Sequence, residues 1–117
     1  MVRNNMKINK LGHLEINGVD TSLLVREYGT PLYVIDQKII EDRCSDLNKI
    51  MAKYFKKYRI MYASKALNTM AILKLVNNQG LGVDTVSIGE MYTALKAGIN
   101  HSAIELHGNS KNYNEIK

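Results

Sequence analysis

The chain has 117 residues, 45% of them hydrophobic, which is enough for one domain with its own core. Its net charge of +5 comes from scattered residues except for KYFKKYR at residues 53–59, which suits the solvated end of a helix, so we expect no nucleic-acid partner. One cysteine excludes an internal disulfide, and no stretch is typical of a signal peptide or membrane span, so we expect a cytoplasmic protein with no membrane partner.

The first 30 residues predict short extended pieces followed by a short helix. Apolar residues alternate around residue 15, and the pair Asn17-Gly18 is a strong turn signal, so residues 7–18 should form a strand or hairpin. Asp20 can cap a helix that ends before Gly29. Pro31 then prevents the helix from continuing.

The next segments predict a strand and a long amphipathic helix. Residues 32–35 are apolar, β-branched and aromatic, which favours a strand. Asp36 should begin a helix that reaches about Lys57. Cys44 lies in phase with the apolar positions of this helix, so we expect a buried small residue rather than a nucleophile.

From residue 60 onward, strand and helix patterns alternate. The predicted strands are 60–65, 82–86 and 103–108, and the predicted helices are 69–79 and 88–97. Such alternation favours a parallel sheet with right-handed crossovers. Ser87 with Glu90, and Asn112 with Glu115, have capping-box spacing, and each pair should begin a helix.

These elements predict an α/β fold with about three βα units. A closed (β/α)8 barrel needs about 250 residues. We therefore expect the N-terminal part of a TIM-like barrel, truncated, after an extended segment that would pair with a missing C-terminal β domain. The expected domains are residues 1–30, the extended segment and short helix, and residues 31–117, the partial barrel.

Lys65 is the first candidate functional residue. It follows an apolar run of strand length and precedes a helix, so it should lie at the carboxyl end of a buried strand. In parallel α/β proteins this end is where ligands bind. Burial beside the strand would also favour a nucleophilic amine. The alternative is a solvated surface lysine, which most of the twelve lysines should be.

Four motifs then carry a resemblance to a known family. They are YASKA at residues 62–66, GTPLYV at 29–34, GVDTVSIGEMY at 82–92 and LHGNSK at 106–111. In this order and at these separations they resemble pyridoxal-phosphate-dependent decarboxylases of the alanine-racemase-like barrel class, most closely the diaminopimelate decarboxylases. The resemblance covers almost the whole chain. Thr85, Ile88 and Ser110 depart from the usual motifs, but none of these departures alters Lys65.

The resemblance implies an enzyme with pyridoxal 5'-phosphate as cofactor. Lys65 would bind the cofactor covalently, and the whole protein would decarboxylate meso-diaminopimelate to L-lysine in lysine biosynthesis. The family also implies a homodimer that takes a small amino-acid substrate. The isolated chain is expected to be inactive, because a partial barrel leaves a sheet edge and apolar surface in water.

Three further residues have alternative interpretations. Asp84 ends the next strand, so it either orients Lys65 or contacts the cofactor, or it is a plain turn aspartate. His107 ends the third strand and either faces the cofactor or packs structurally. Glu90 matches a family position near the site, although helix capping already explains it. No metal site is predicted, and His13 and His101 receive no role.

Two other functions stay open. A related barrel decarboxylase could act on ornithine, arginine or carboxynorspermidine, because this region mostly carries cofactor chemistry. A non-catalytic pyridoxal-phosphate-binding module is the second alternative. The segment at residues 29–34 and the extended residues 7–18 favour a two-domain enzyme instead.

Overall fold

The computed structural model describes residues 5–116. Residues 1–4 and Lys117, which include the outer limits of both predicted domains, lie outside the described residues. The chain divides into two compact units, one up to Ile39 and one from Ile40 onward. The domain boundary expected after residue 30 stays a prediction. Within residues 5–116, no helix has the length and apolar character needed to cross a membrane.

The first unit contains a small antiparallel sheet of three strands. These strands are β1 (Met6–Ile8), β2 (Leu14–Ile16) and β3 (Val19–Asp20), in that spatial order. Asn17 and Gly18 both have positive φ, 48° and 83°, as the two-residue turn between β2 and β3 requires. The predicted hairpin is therefore confirmed. The strands pair with one another, and pairing with a further β domain stays a prediction.

Helix α1 (Thr21–Tyr28) follows β3 directly. The Asp20 carboxylate caps it by accepting the Ser22 N–H at 2.8 Å. The same side chain accepts from Asn9 at 2.9 Å and lies 2.9 Å from Nδ1 of His13. The hydrogen bond with His13, and then those with Ser22 and Asn9, lower the pKa of Asp20 from 3.8 to about 2. His13, which received no role from the sequence, therefore supports the cap.

The Asp20 cap should make α1 sensitive to acid. Because the folded state lowers this pKa, the ionised carboxylate stabilises α1 fully above about pH 3.8, and the contribution is lost as pH falls through about 2. The amide chemical shift of Ser22 should therefore titrate with a midpoint near 2 in NMR spectra. His13→Ala should move the midpoint upward, whereas Asp46→Asn at an exposed position of the second unit should leave it unchanged. If the pH midpoint of the Ser22 amide shift were the same with and without His13, this explanation of the Asp20 pKa would be wrong.

The segment after α1 differs from its prediction. Residues 32–35 form no strand, so that prediction is wrong: their side chains are exposed, Tyr33 to 98%, and no neighbouring strand pairs with them within residues 5–116. Apolar β-branched residues favour a strand only where a partner strand and a buried face exist. Helix α2 (Gln37–Tyr54) begins as expected, with Asp36 accepting the Ile39 N–H at 3.3 Å, and ends three residues before Lys57.

The second unit contains the predicted βα series. Its strands are β4 (Met61–Ala63), β5 (Gly82–Thr85) and β6 (Ile104–Leu106), and its further helices are α3 (Met70–Asn78), α4 (Ile88–Lys96) and α5 (Tyr113–Ile116). The strands are parallel in the order β4-β5-β6. Two 3₁₀ turns, Ser64–Ala66 and His101–Ala103, flank the strands. The expected α/β class with three parallel strands is confirmed.

The core of this unit lies between the sheet and its helices, in two adjoining clusters. The first contains Cys44, Ile72, Val76 and Leu81. The second contains Leu73, Val83, Ala94 and Ile99. Tyr62 of β4 packs against both clusters. Cys44 is 4% exposed, and burial raises the pKa of its thiol, so its predicted role as a buried core residue is confirmed.

Helices α3 and α4 end in the same way. After α3, the N–H of Gly80 donates to Asn77 and the N–H of Leu81 donates to Val76, at 2.9 and 3.2 Å. This pair of bonds is a Schellman motif, and the φ of Gly80, 84°, is the left-handed conformation it needs. Equivalent bonds follow α4 at Gly98. In both cases the residue after the glycine, Leu81 or Ile99, is apolar and buried. The chain therefore enters the core directly after each helix, before the next strand begins.

Candidate active site at the carboxyl ends of the strands

Lys65 lies in the 3₁₀ turn that immediately follows β4. The strand ends at Ala63, two residues earlier than predicted, and the Lys65 side chain is exposed rather than buried beside the strand. The buried residue of this turn is Ser64, which is 0% exposed. The position at the carboxyl end of the strand agrees with the sequence, but the expected desolvation of the ammonium group is not found within this chain.

Asp84 occupies the corresponding position on β5. The strand register pairs it with Ala63 of β4 on one side and with Glu105 of β6 on the other. Its side chain is 23% exposed. Lys65 and Asp84 therefore project from the same end of the sheet, although no hydrogen bond or ion pair within residues 5–116 joins them.

His107 follows β6 and does reach Asp84. Nδ1 of His107 lies 3.2 Å from Oδ1 of Asp84 and 3.3 Å from Oδ2, and only the contact with Oδ2 has hydrogen-bond geometry. The backbone N–H of His107 also donates to the Thr85 carbonyl at 2.8 Å. The two candidate residues of neighbouring strands thus form a pair.

One oxygen of the Asp84 carboxylate accepts no hydrogen bond, although Nδ1 of His107 lies 3.2 Å from it. Oδ1 is buried and makes no hydrogen bond to any part of the described chain. A buried carboxylate oxygen without a donor is costly, and in a native protein it calls for a missing partner. The side-chain oxygen of Asn68, three residues after Lys65, is in the same condition. Both atoms could accept a hydrogen bond from the polar groups of a bound ligand.

Glu90 has a different role from the expected capping box. Ser87 accepts the Glu90 N–H at 3.3 Å, which is half of that motif. The Glu90 carboxylate instead accepts the Val86 N–H at 2.7 Å and the Ser64 hydroxyl at 2.8 Å. It therefore connects the residue before Lys65 with the turn that follows β5, a connection that helix periodicity could not predict.

The predictions from the sequence did not include two functional candidates, Ser64 and Lys111. Ser64 is a small polar residue at the end of an apolar run, and this break in the apolar pattern was its only signal. Lys111 lies in the loop after β6, and its ammonium group donates to the Val86 carbonyl at 2.7 Å. Within residues 5–116, no group of three or more histidine, cysteine and acidic side chains could hold a metal ion.

A lysine amine and a histidine–carboxylate pair at the carboxyl ends of parallel strands are typical of α/β proteins that bind a small ligand or cofactor there. Comparison with known families identifies which of these proteins the chain resembles. The model of the pyridoxal-dependent decarboxylase family, pyridoxal binding domain, matches residues 38–117. The chain belongs to this family, and the expected pyridoxal cofactor is confirmed at the family level.

Individual relatives agree with the family. The chain is similar to a diaminopimelate decarboxylase of Bacillus methanolicus, with 45% identity over 95% of this chain, and to one of Methanothermobacter thermautotrophicus, with 38% identity over 96%. These matches cover 26% of each relative. The chain thus spans about a quarter of the length of the curated relatives it matches.

Solved structures give the same result. The chain is similar to a diaminopimelate decarboxylase from M. jannaschii in co-complex with L-lysine, with a TM-score of 0.83 and 34% identity over 99% of this chain and 28% of that one. It is also similar to AQ1208 from Aquifex aeolicus, with a TM-score of 0.81 and 36% identity over 96% of this chain and 27% of that one.

Proposed function

We propose that this chain carries the cofactor-binding lysine of a pyridoxal-phosphate-dependent decarboxylase, and that the whole protein converts meso-diaminopimelate to L-lysine. The observation that carries the proposal is the position of Lys65, directly after β4 and at the same sheet end as Asp84, whose buried Oδ1 accepts no hydrogen bond. The diaminopimelate decarboxylase relatives, one solved with L-lysine, support the substrate class.

The residues at this end of the sheet fit the cofactor. Lys65 supplies an exposed primary amine for covalent attachment, and Asp84 supplies an acceptor that the chain itself leaves without a donor. His107, held by its hydrogen bond to Asp84, presents an imidazole beside that carboxylate. When bound, pyridoxal phosphate would accept the electron pair left when the substrate carboxylate departs as carbon dioxide.

Each residue then has a defined task. Lys65 would hold the cofactor covalently through its amine. Asp84 orients His107 and would offer its Oδ1 as an acceptor to the bound group. Covering residues from the rest of the protein would provide the desolvation that an active amine needs, because Lys65 is exposed in this chain.

Two properties of the whole protein are part of the proposal. We infer a homodimer, supported by the resemblance of the four motifs to a family with shared active sites. We also infer a cytoplasmic location, supported by the buried, unpaired Cys44, which suits a reducing compartment. Size-exclusion chromatography with light scattering on the whole protein tests the first property, and a monomer at micromolar concentration would contradict it.

The covalent site can be tested on the whole protein. After mixing with pyridoxal phosphate and reduction with borohydride, peptide mass spectrometry should find the cofactor on Lys65 in preference to the other eleven lysines of this chain. Lys74, an exposed lysine on α3, gives the internal reference for non-specific reaction. Equal labelling of Lys65 and Lys74 in a protein whose circular dichroism shows a folded state would count against the assignment of Lys65.

A further inference from the structure

Three turns at the candidate site are tied together by one continuous set of hydrogen bonds. The Glu90 carboxylate uses a single oxygen, Oε2, to accept both the Ser64 hydroxyl and the Val86 N–H. The carbonyl of Val86 accepts from the ammonium group of Lys111. We call Ser64, Val86, Glu90 and Lys111 the rim network.

The rim network connects consecutive strand ends. Ser64 follows β4, Val86 follows β5, and Lys111 lies in the loop after β6. The three contacts are short, 2.8, 2.7 and 2.7 Å, and each involves a charged group. Charge-assisted hydrogen bonds of this length are the strong ones in proteins, so the three turns should be held in one fixed relation.

The turn that bears Lys65 is fixed from two sides. Ser64, immediately before it, is fully buried and bound to Glu90. At the other end of the turn, the Leu67 carbonyl accepts the Tyr62 hydroxyl at 3.2 Å. Lys65 itself is exposed, and nothing within the described chain holds its side chain. The backbone of this turn therefore sets the position from which the Lys65 side chain extends.

The loop that bears His107 is fixed in a comparable way. Lys111 folds back over this loop, and its Nζ would lie only 3.4 Å from a Cβ added at Gly108. The same ammonium is bound to Val86, the residue that Glu90 holds. A displacement of either Glu90 or Lys111 should therefore move Lys65 and His107 relative to each other.

We propose that Glu90 and Lys111 are positioning residues that act through the Val86 backbone to set the location of Lys65 against the Asp84–His107 pair. The inference deepens the proposed function and rests on it. Reacting groups need geometry held within fractions of an ångström, and small displacements cost large factors in rate. Capping of α4 requires neither the hydrogen bond between Ser64 and Glu90 nor the one between Lys111 and Val86, so capping does not explain the network.

The test uses the whole protein with two matched pairs of variants. Glu90→Ala and Lys111→Met remove a network member, while Glu27→Ala on α1 and Lys74→Met on α3 remove an exposed charge of the same kind elsewhere. Glu90→Gln keeps an oxygen acceptor and should rescue. The first measurement is the fraction of Lys65 trapped by borohydride at a fixed concentration of pyridoxal phosphate.

We expect Glu90→Ala and Lys111→Met to lower the trapping of Lys65 by about tenfold, while the controls and Glu90→Gln stay within about twofold of the unaltered chain. Melting temperature is measured in parallel. A fall in melting temperature with unchanged trapping of Lys65 would mean a purely structural network and would overturn the inference.

A second measurement does not need the cofactor. Competitive acetylation of the unliganded chain across a pH series gives a reactivity profile for each lysine, and the network variants should change the profile of Lys65 but not that of Lys74. If the unaltered whole protein fails to bind pyridoxal phosphate at Lys65, the proposed function fails, while the acetylation profiles still decide the positioning. Unchanged Lys65 profiles in both network variants would overturn it.

Discussion

Replacing Lys65 by alanine in the whole protein is expected to lower turnover of meso-diaminopimelate by about three orders of magnitude or more, because the amine that attaches the cofactor is lost. Lys111, in the loop after β6, cannot take its place because the Val86 carbonyl engages its ammonium group. Lys65→Arg should fail equally, because a guanidinium stays protonated and cannot act as the nucleophile. Turnover is measured as carbon dioxide release under saturating substrate.

The matched control is Lys74→Ala, which removes an exposed lysine from α3 and should leave turnover unchanged. Full turnover by Lys65→Ala would refute the assignment of Lys65. The substrate is tested separately by supplying ornithine, arginine and carboxynorspermidine to the unaltered protein. Release of carbon dioxide from ornithine but not from diaminopimelate would leave Lys65 in place and replace the proposed substrate.

Local chemistry explains why many element boundaries could be predicted from the sequence. Asp20 and Asn112 cap helices through their own side chains, and the Asn17-Gly18 turn needs only two residues with positive φ. Each of these signals involves contacts within about four residues, so no tertiary information is needed. The α/β series follows, because strand and helix periods alternate between such signals.

Tertiary contacts explain what the sequence could not predict. Residues 32–35 have strand propensity but no partner within the described chain, and propensity alone does not form a strand. Glu90 has capping-box spacing, yet its carboxylate accepts a hydrogen bond from Ser64, which is 26 residues away in the chain. Lys111 likewise reaches Val86 across 25 residues. Contacts at such separations leave no periodic or spacing signal in one sequence.

The candidate site also combines features that the sequence could predict with features that depend on tertiary contacts. The sequence located Lys65, Asp84 and His107 at strand ends, and the parallel register brings Asp84 and His107 into contact. It could not predict that Lys65 is exposed, because exposure depends on what covers the strand end. The chain spans about a quarter of its relatives' length, so the covering groups are expected from the rest of the whole protein.

The second large effect is expected at Leu73, in the middle of α3. Its side chain is 0% exposed and packs with Val83, Ala94 and Ile99 between the sheet and the two helices that follow β4 and β5. Leu73→Ala would leave a cavity between rigid elements, because α3 contacts both β5 and α4 and cannot move toward one without leaving the other. We expect a loss of about 2–5 kcal/mol in the free energy of unfolding.

Such a loss would be a large part of the total stability of an ordinary domain, about 5–15 kcal/mol, so the variant should unfold at a clearly lower urea concentration. Urea denaturation measures the loss, with an unchanged m value as the sign that folding stays cooperative. Leu95→Ala on α4 is the matched control: this leucine is 48% exposed, so its removal should cost below about 1 kcal/mol. Equal losses for the two leucines would mean that the packing between α3 and β5 is not the core of this unit.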